Sequence, residues 1–359
     1  MKILYLINYA GSGGSERYVE LLARYYHGSK ATCGLCYNVD GPLVEKMKEL
    51  DIPVYQLPMK SIADISAAKK LAKLVKDGEY DVIHAQYPRE NYIAILSKLF
   101  GCKAKIVFTS HLISEQPPVW RMLNRIFTPH DHAVLTVCTY GKEVLERGGV
   151  AKDKIRIVFN GVDAPAAPRR DRSVLKEFGI GDEEKVITIL TRFSEEKGVP
   201  FLLRSIAKLK EQTTVPFRLL LVGTGPDFDR DKALVPELGI EDKVVLTGFR
   251  TDTARLLAAS DIYLNSSSSE AMSFAILEAL GAGLPLVLTD VGGNPELVNT
   301  GGICGLLAPY GDEDAYAGAI AKLLEDDALR AGFAAAARAK AVGEFDLYNL
   351  LEKLYKIYQ

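Results

Sequence analysis

The feature that most constrains this chain is a rhythm. Short β-rich runs alternate with helical stretches, and they do so twice. In the first half KILYLIN, TCGLCYNV, PVYQL, DVIHAQY, KIVFTSH, HAVLTVC and KIRIVFNG are separated by stretches such as SERYVELLARYY, ISAAKKLAKLVKD and ENYIAILSKLF. In the second half EKVITILTRF, RLLLVGTG, KVVLTGF, IYLNS, PLVLTD and GICGLLAP alternate with PFLLRSIAKLKEQ, TARLLAAS, FAILEALGAG and EDAYAGAIAKLLED. Strands joined by helices of about 10–15 residues make βαβ units and parallel sheets. Two successive doubly wound α/β units are the simplest architecture. The length of 359 residues agrees, because a single core stops growing at roughly 250–300 residues. The boundary is expected in APAAPRRDRS (Ala164–Ser173), which has two prolines, no strand pattern and clustered charge. The expected parts are an N-terminal domain over 1–163, a C-terminal domain over 164–343 and a final helix over 344–359. In that helix Leu347, Leu350, Leu351, Leu354, Tyr355 and Tyr358 form one apolar stripe at helical spacing, which needs a surface to cover it.

Composition narrows the function. No apolar run approaches the roughly 18 residues that span a bilayer. The opening MKILYLINYAGSGGSE reads as a strand and a glycine turn, not as a signal peptide. A net charge of −2 excludes a global nucleic-acid footprint. The charge is uneven: residues 1–163 carry 22 Lys and Arg against 17 Asp and Glu, and the remainder carries 22 against 29. Lys60, Lys69, Lys70, Lys73, Lys76, Lys98, Lys103, Lys105, Arg121 and Arg125 supply most of the excess. They make either a solvated face or one that meets an anionic lipid or acceptor. Five cysteines include a C-x-x-C, Cys33 and Cys36, inside a strand-like run. Positions i and i+3 of a strand face opposite ways, and no second pair or nearby His completes a zinc site. Plain apolar cysteines in a reducing cytoplasm are expected.

The chemistry-bearing residues sit after strands. Gly11, Gly13 and Gly14 follow the first strand and open a helix, where backbone N–H groups can meet an anion. The dinucleotide pattern is not met, because Glu16 stands at its third glycine. In RFSEEKG, Arg192 and Lys197 place two cations in one short loop, suited to a diphosphate. The run SSSSEAMSFAILEALGAGLP puts Glu270 before an apolar helix, with the N–H groups of Met272, Ser273 and Phe274 expected near its start as an anion site. Glu278 lies about two turns further on, if both glutamates are helical. A carboxylate buried there needs a partner such as ribose hydroxyls. Two decoys are set aside. Asp227 and Asp229 form a D-x-D that reads as helix-start charge, and His130 and His132 alternate faces on an extended chain.

With those residues in view, Glu270-x7-Glu278 resembles the E-x7-E signature of retaining GT-B glycosyltransferases. The surrounding pieces resemble glycosyltransferase family 4, in family order and over essentially the whole chain. They are the Gly-Gly-x-Glu loop at 13–16, DVIHA at 81–85, TSH at 109–111, NGVD at 160–163, RFxxxKG at 192–198, VGxGP at 222–226, GFR at 248–250 and DVGGNPE at 290–296. The resemblance implies a GT-B fold: two Rossmann-like domains facing across a cleft, with the last helix crossing back to the N-terminal domain. It implies that Arg192 and Lys197 neutralise the donor diphosphate and that Glu278 binds the ribose. Phe249 with Arg250 would line the base pocket. Glu270 and the backbone of Ala271, Met272, Ser273 and Phe274 would hold the transferred sugar and the β-phosphate. Gly13 and Gly14 would let the first loop approach the ligands, and His111 would lie at the reacting face of the sugar.

The sequence departs from the family at Thr191, where Gly is common, and at Ala271, Met272 and Ser273, which replace Gly-Phe-Gly. Those side chains narrow the pocket around the donor sugar. The implied activity is retaining transfer of a hexose or N-acetylhexosamine from a nucleoside-diphosphate sugar, UDP foremost, to a saccharide or lipid-linked acceptor. No metal or other cofactor is expected. The implied location is cytoplasmic, peripheral to the inner face of the membrane through the basic N-terminal domain. A nucleotide-sugar epimerase of the same fold and a non-catalytic nucleotide-sugar-binding scaffold are the alternatives.

Overall fold

A computed structural model describes all residues except 12, 112–116 and 165–169. Ser12 of the first glycine loop and most of APAAP therefore lie outside the described residues. The chain divides into two compact units, Met1–Phe159 with Asn349–Gln359, and Asn160–Tyr348.

The first unit holds a seven-stranded sheet of β1 (Lys2–Tyr9), β2 (Thr32–Val39), β3 (Val54–Gln56), β4 (Val82–Ala85), β5 (Lys105–Ser110), β6 (Ala133–Thr136) and β7 (Ile155–Ile157). Its order is β3-β2-β1-β4-β5-β6-β7, and every pairing is parallel. The second unit holds β8 (Lys185–Leu190), β9 (Phe217–Val222), β10 (Val244–Gly248), β11 (Ile262–Asn265), β12 (Leu286–Thr289) and β13 (Gly305–Ala308), in the order β10-β9-β8-β11-β12-β13, again all parallel. The expected doubly wound α/β architecture is thus present twice. Its reversal points fall between β1 and β4 and between β8 and β11, where such sheets bind ligands beyond the strand ends.

Helices on both faces explain why the central strands read as unbroken apolar runs. Ile3 through Ile7 and Leu219 through Leu221 are fully buried. The helix Ile65–Asp77 shows the local logic. The Asp64 carboxylate accepts from the Ala67 amide at 2.9 Å and starts it, Ala67, Ala68, Leu71, Ala72 and Val75 face the core, and Gly78 follows its last turn.

The terminal helix Leu347–Tyr358 buries Leu350, Leu351, Leu354 and Tyr358. Its Asn349–Gln359 stretch belongs to the first unit. There the Tyr25 hydroxyl donates to Glu352 at 2.9 Å, His132 Nε2 lies 2.9 Å from the Ile357 carbonyl, and the Tyr358 hydroxyl lies 2.6 Å from His84 Nδ1. The division between units falls at Phe159 rather than Asp163 for a local reason. Asn160 is bound to Met272, and Val162 pairs with Asp346, all within the second unit.

Among the described residues no helix is long and apolar enough to cross a membrane. All five cysteines are buried free thiols, and burial pushes Cys33 and Cys36 up to about 12. The D-x-D residues lie at a helix start, as read: Asp227 precedes the helix Phe228–Glu237 and pairs with Arg230 at 3.2 Å.

Candidate active site

In the second unit the site is built at the carboxyl ends of β8, β11 and β12. The loop after β8 carries Arg192 and Lys197. Gly198 ends it at φ +63°, and a Cβ there would lie 2.2 Å from the Ser266 carbonyl oxygen. Only glycine lets the Lys197 loop close on the loop after β11. The Ser266 hydroxyl donates to the Lys197 carbonyl at 2.8 Å. The Lys197 ammonium then reaches Glu270 Oε2 at 2.7 Å, where the Ser267 hydroxyl also donates at 3.2 Å. Both side chains are mostly covered, 24% exposed for Lys197 and 11% for Glu270. The pair thus has less solvent screening than a surface salt bridge.

Arg192 stands exposed near this pair in sequence, and against the cost of burial its charge, with that of Lys197, helps lower the Glu196 carboxyl. A second glycine fixes its loop. Gly223 sits at φ +135°, and a Cβ there would lie 1.8 Å from the Thr191 carbonyl oxygen.

The helix read at FAILEALGAG begins at its first residue. It spans Phe274–Gly281, and its first internal bond runs from the Leu277 amide to the Ser273 carbonyl. The amides left without an intrahelical acceptor are those of Phe274, Ala275 and Ile276. Ala271, Met272 and Ser273 precede the helix, so the amides of Met272 and Ser273 are not part of its first turn. Glu270 is in the loop and only Glu278 is helical. Met272 also has another task. It is buried, its Sδ accepts from the Asn160 amide at 3.2 Å, and its carbonyl accepts from Asn160 Nδ2 at 3.0 Å. Glu278 and Glu270 both act electrostatically on the buried Tyr263 phenol, whose hydroxyl donates to the Leu190 carbonyl at 3.4 Å. Burial first, and then the two carboxylates, hold that phenol far above its usual range.

A buried amide web, without an assigned role in the sequence reading, sets the loop that carries Glu270. Asn294 Nδ2 donates to Asn265 Oδ1 at 3.2 Å and to the Thr289 carbonyl at 2.9 Å. The Thr289 hydroxyl donates to the Ser267 carbonyl at 2.6 Å, and the Gly293 amide to the Glu270 carbonyl at 3.0 Å. The sequence signal was the DVGGNPE motif, quoted as a family mark.

Phe249 and Arg250 lie after β10. Phe249 is 73% exposed. Arg250 is committed to carboxylates, with donations of 2.7 Å to Glu177 and 2.8 Å to Asp252.

In the first unit, Gly13 caps the helix Gly14–Tyr26 with ordinary negative φ, and Gly14 has open space where a Cβ would stand. The helix carries Tyr18, whose ring meets His111 edge-on at 5.0 Å. His111 leaves the end of β5, and its Nε2 lies 2.9 Å from Gln86 Oε1. Burial pushes the imidazole down to about 4, so it is neutral near pH 7. Gln86 is a residue the sequence reading missed. Among the described residues no three His, Cys, Asp or Glu side chains converge as a metal site.

The fold sets the class. The structure of Anabaena HepE in complex with UDP and glucose superposes with a TM-score of 0.85 at 22% identity, covering 99% of this chain and 98% of that one. It gives the architecture as GT-B. Residues 172–340 match the family described as glycosyl transferases group 1, and residues 12–164 match Glycosyltransferase Family 4. The N-acetyl-alpha-D-glucosaminyl L-malate synthase of Bacillus anthracis is 30% identical, over 97% of this chain and 93% of its own. The UDP-Gal:alpha-D-GlcNAc-diphosphoundecaprenol alpha-1,3-galactosyltransferase of Escherichia coli is 24% identical, over 89% and 86%. This chain belongs to the glycosyltransferases of family 4, group 1, and is a transferase.

Proposed function

We propose that the protein is a retaining glycosyltransferase. It moves a hexose or N-acetylhexosamine from a nucleoside-diphosphate sugar, with UDP as the nucleotide, to a hydroxyl of a saccharide or lipid-linked saccharide. The observation that carries the reading is the Lys197–Glu270 pair at 2.7 Å, which joins the loop after β8 to the loop that leads into the helix Phe274–Gly281. A diphosphate needs fixed positive charge and N–H donors, and Lys197, Arg192 and the first amides of that helix supply both. Glu278 takes the ribose hydroxyls, while Phe249 and Arg250 line the base. The names of the Escherichia coli relative and the Anabaena complex support UDP.

In the reaction the C1–O bond to the diphosphate breaks as the C1–O bond to the acceptor forms on the same face. The acceptor proton passes to the departing phosphate oxygen. The protein orients the reactants and stabilises charge on the leaving group, so no metal is required. Glu270 and His111 hold the sugar, and Gly13 and Gly14 leave room for the phosphates and acceptor. Where the acceptor is lipid-linked, Lys69, Lys70, Lys73 and Lys76 meet an anionic bilayer, because the opposite side of their helix is buried in the core.

The test is release of nucleoside diphosphate from a donor panel, with and without candidate acceptors. Release that requires acceptor, with the product anomer matching the donor, supports the reading. Interconversion of the donor sugar without acceptor contradicts it.

A further inference from the structure

Gln86 leaves the end of β4 and His111 leaves the end of the neighbouring β5. Gln86 is 1% exposed, so its carboxamide must find partners within the protein. One end of the amide lies 3.1 Å from the backbone carbonyl of His84, and the other lies 2.9 Å from His111 Nε2. A carbonyl can only accept. The amide nitrogen must therefore face His84, which leaves Oε1 facing the imidazole. An amide oxygen also only accepts, so His111 Nε2 must carry the proton. The tautomer follows from one backbone carbonyl, read through one side chain. Tyr18 packs edge-on against the ring and limits its rotation, and burial keeps the ring neutral.

We propose that Gln86 is a positioning residue that locks His111 in its Nε2–H tautomer, so that Nδ1 acts as an acceptor for a hydroxyl of the transferred sugar. This rests on the reading above that His111 meets the donor sugar. A lone pair at Nδ1 accepts a hydrogen bond from a hydroxyl without adding positive charge beside the reacting carbon. The other tautomer would present a donor there, and a hydroxyl oriented by its own O–H would turn away.

The experiment has two arms. The first is nitrogen-15 NMR of the histidine side chains in the full-length, ligand-free protein. There are five histidines, and His111→Gln identifies the signal. Wild type is expected to show a protonated-type nitrogen at Nε2 and an unprotonated-type nitrogen at Nδ1. Gln86→Leu, which removes both the donor to His84 and the acceptor for His111, should produce a mixture of tautomers. The second arm is kinetics. Gln86→Leu should lower kcat on the order of tenfold to a hundredfold, with the acceptor KM little changed.

A wild-type His111 protonated at Nδ1 overturns the proposal without reference to any variant or turnover. So does a folded Gln86→Leu protein whose tautomer or kcat is unchanged. A wild-type protein that transfers no sugar from any donor contradicts the functional reading instead, and the ligand-free spectrum still decides the tautomer.

Discussion

In the first unit the groups at the ends of β4 and β5 are neutral, with Gln86 buried and His111 half-buried. His111, Gln86 and Tyr18 hold one another through a single carboxamide and an aromatic edge. Deeper in the same sheet, His84 sits between Thr109 at 2.7 Å and Tyr358 at 2.6 Å, and burial pushes it down to about 3. In the second unit the groups at the ends of β8 and β11 are ionic: Lys197 against Glu270, Arg192 exposed, and helix amides beyond them. One topology therefore carries two chemistries. Neutral, tautomer-defined groups suit hydroxyls, whose recognition depends on direction. Fixed cations suit a diphosphate, whose recognition depends on charge. The contrast extends to how each unit is held. The first depends on a helix from the far end of the chain, whereas the second closes on its own segments.

The largest expected effect breaks that last difference. Ending the chain at Gly343 removes the terminal helix and uncovers the surface that packs on Leu350, Leu351, Leu354 and Tyr358. Burying those side chains contributes about 5–9 kcal/mol before the entropy of ordering, comparable to the whole stability of a domain. Hydrogen exchange should show protection collapsing in residues 1–159 and persisting in the second sheet. Equal loss in both units would erase the asymmetry.

Next come Lys197→Ala and Arg192→Ala. Each should cost about 2–4 kcal/mol of transition-state stabilisation, read in kcat at saturating donor. Near-wild-type turnover in both would remove the ionic character assigned to the second site.

A smaller effect sharpens the neutral character of the first unit. Asp131 is buried; one oxygen accepts from Asn91 at 3.0 Å and the other has no partner among the described residues. Burial raises its carboxyl to about 8. The folded state keeps a proton that the unfolded chain loses near pH 4, so stability falls as pH rises from about 4 to about 8. Asp131→Asn should flatten that limb and be stabilised relative to wild type by about 3–4 kcal/mol more at pH 8 than at pH 5. Chemical denaturation across the range checks it, and parallel curves would contradict it. The smallest expected effect is none: turnover should be unchanged by chelator, because Arg192 and Lys197 do the work of a cation. Loss restored by Mn²⁺ would contradict that.

Much of this was legible in the sequence because parallel strands buried on both faces leave unbroken apolar runs. KILYLIN became β1 and RLLLV most of β9. The helix Pro118–Phe127 left no such mark. Its Val119, Met122 and Ile126 are all more than half exposed, so its apolar residues do not outline a buried face. The helix start at Phe274 was legible in FAILEALGAG, but the tie of the preceding Met272 sulfur and carbonyl to Asn160, far back in the chain, was not. Lys197 and Glu270 were each visible, but their pairing spans 73 residues and depends on Gly198. Gln86 was invisible for the same reason. Its meaning comes from a carbonyl on its own strand and a ring on the next.

The central claim is that the ionic group of the second unit holds a nucleoside diphosphate. Hydrogen exchange on the full-length protein, with and without saturating UDP or a UDP-sugar, tests it most directly. The account predicts new protection at residues 192–198 and 266–278, abolished in Lys197→Ala. Binding that leaves those two segments unprotected, or protects them equally in the variant, would contradict it.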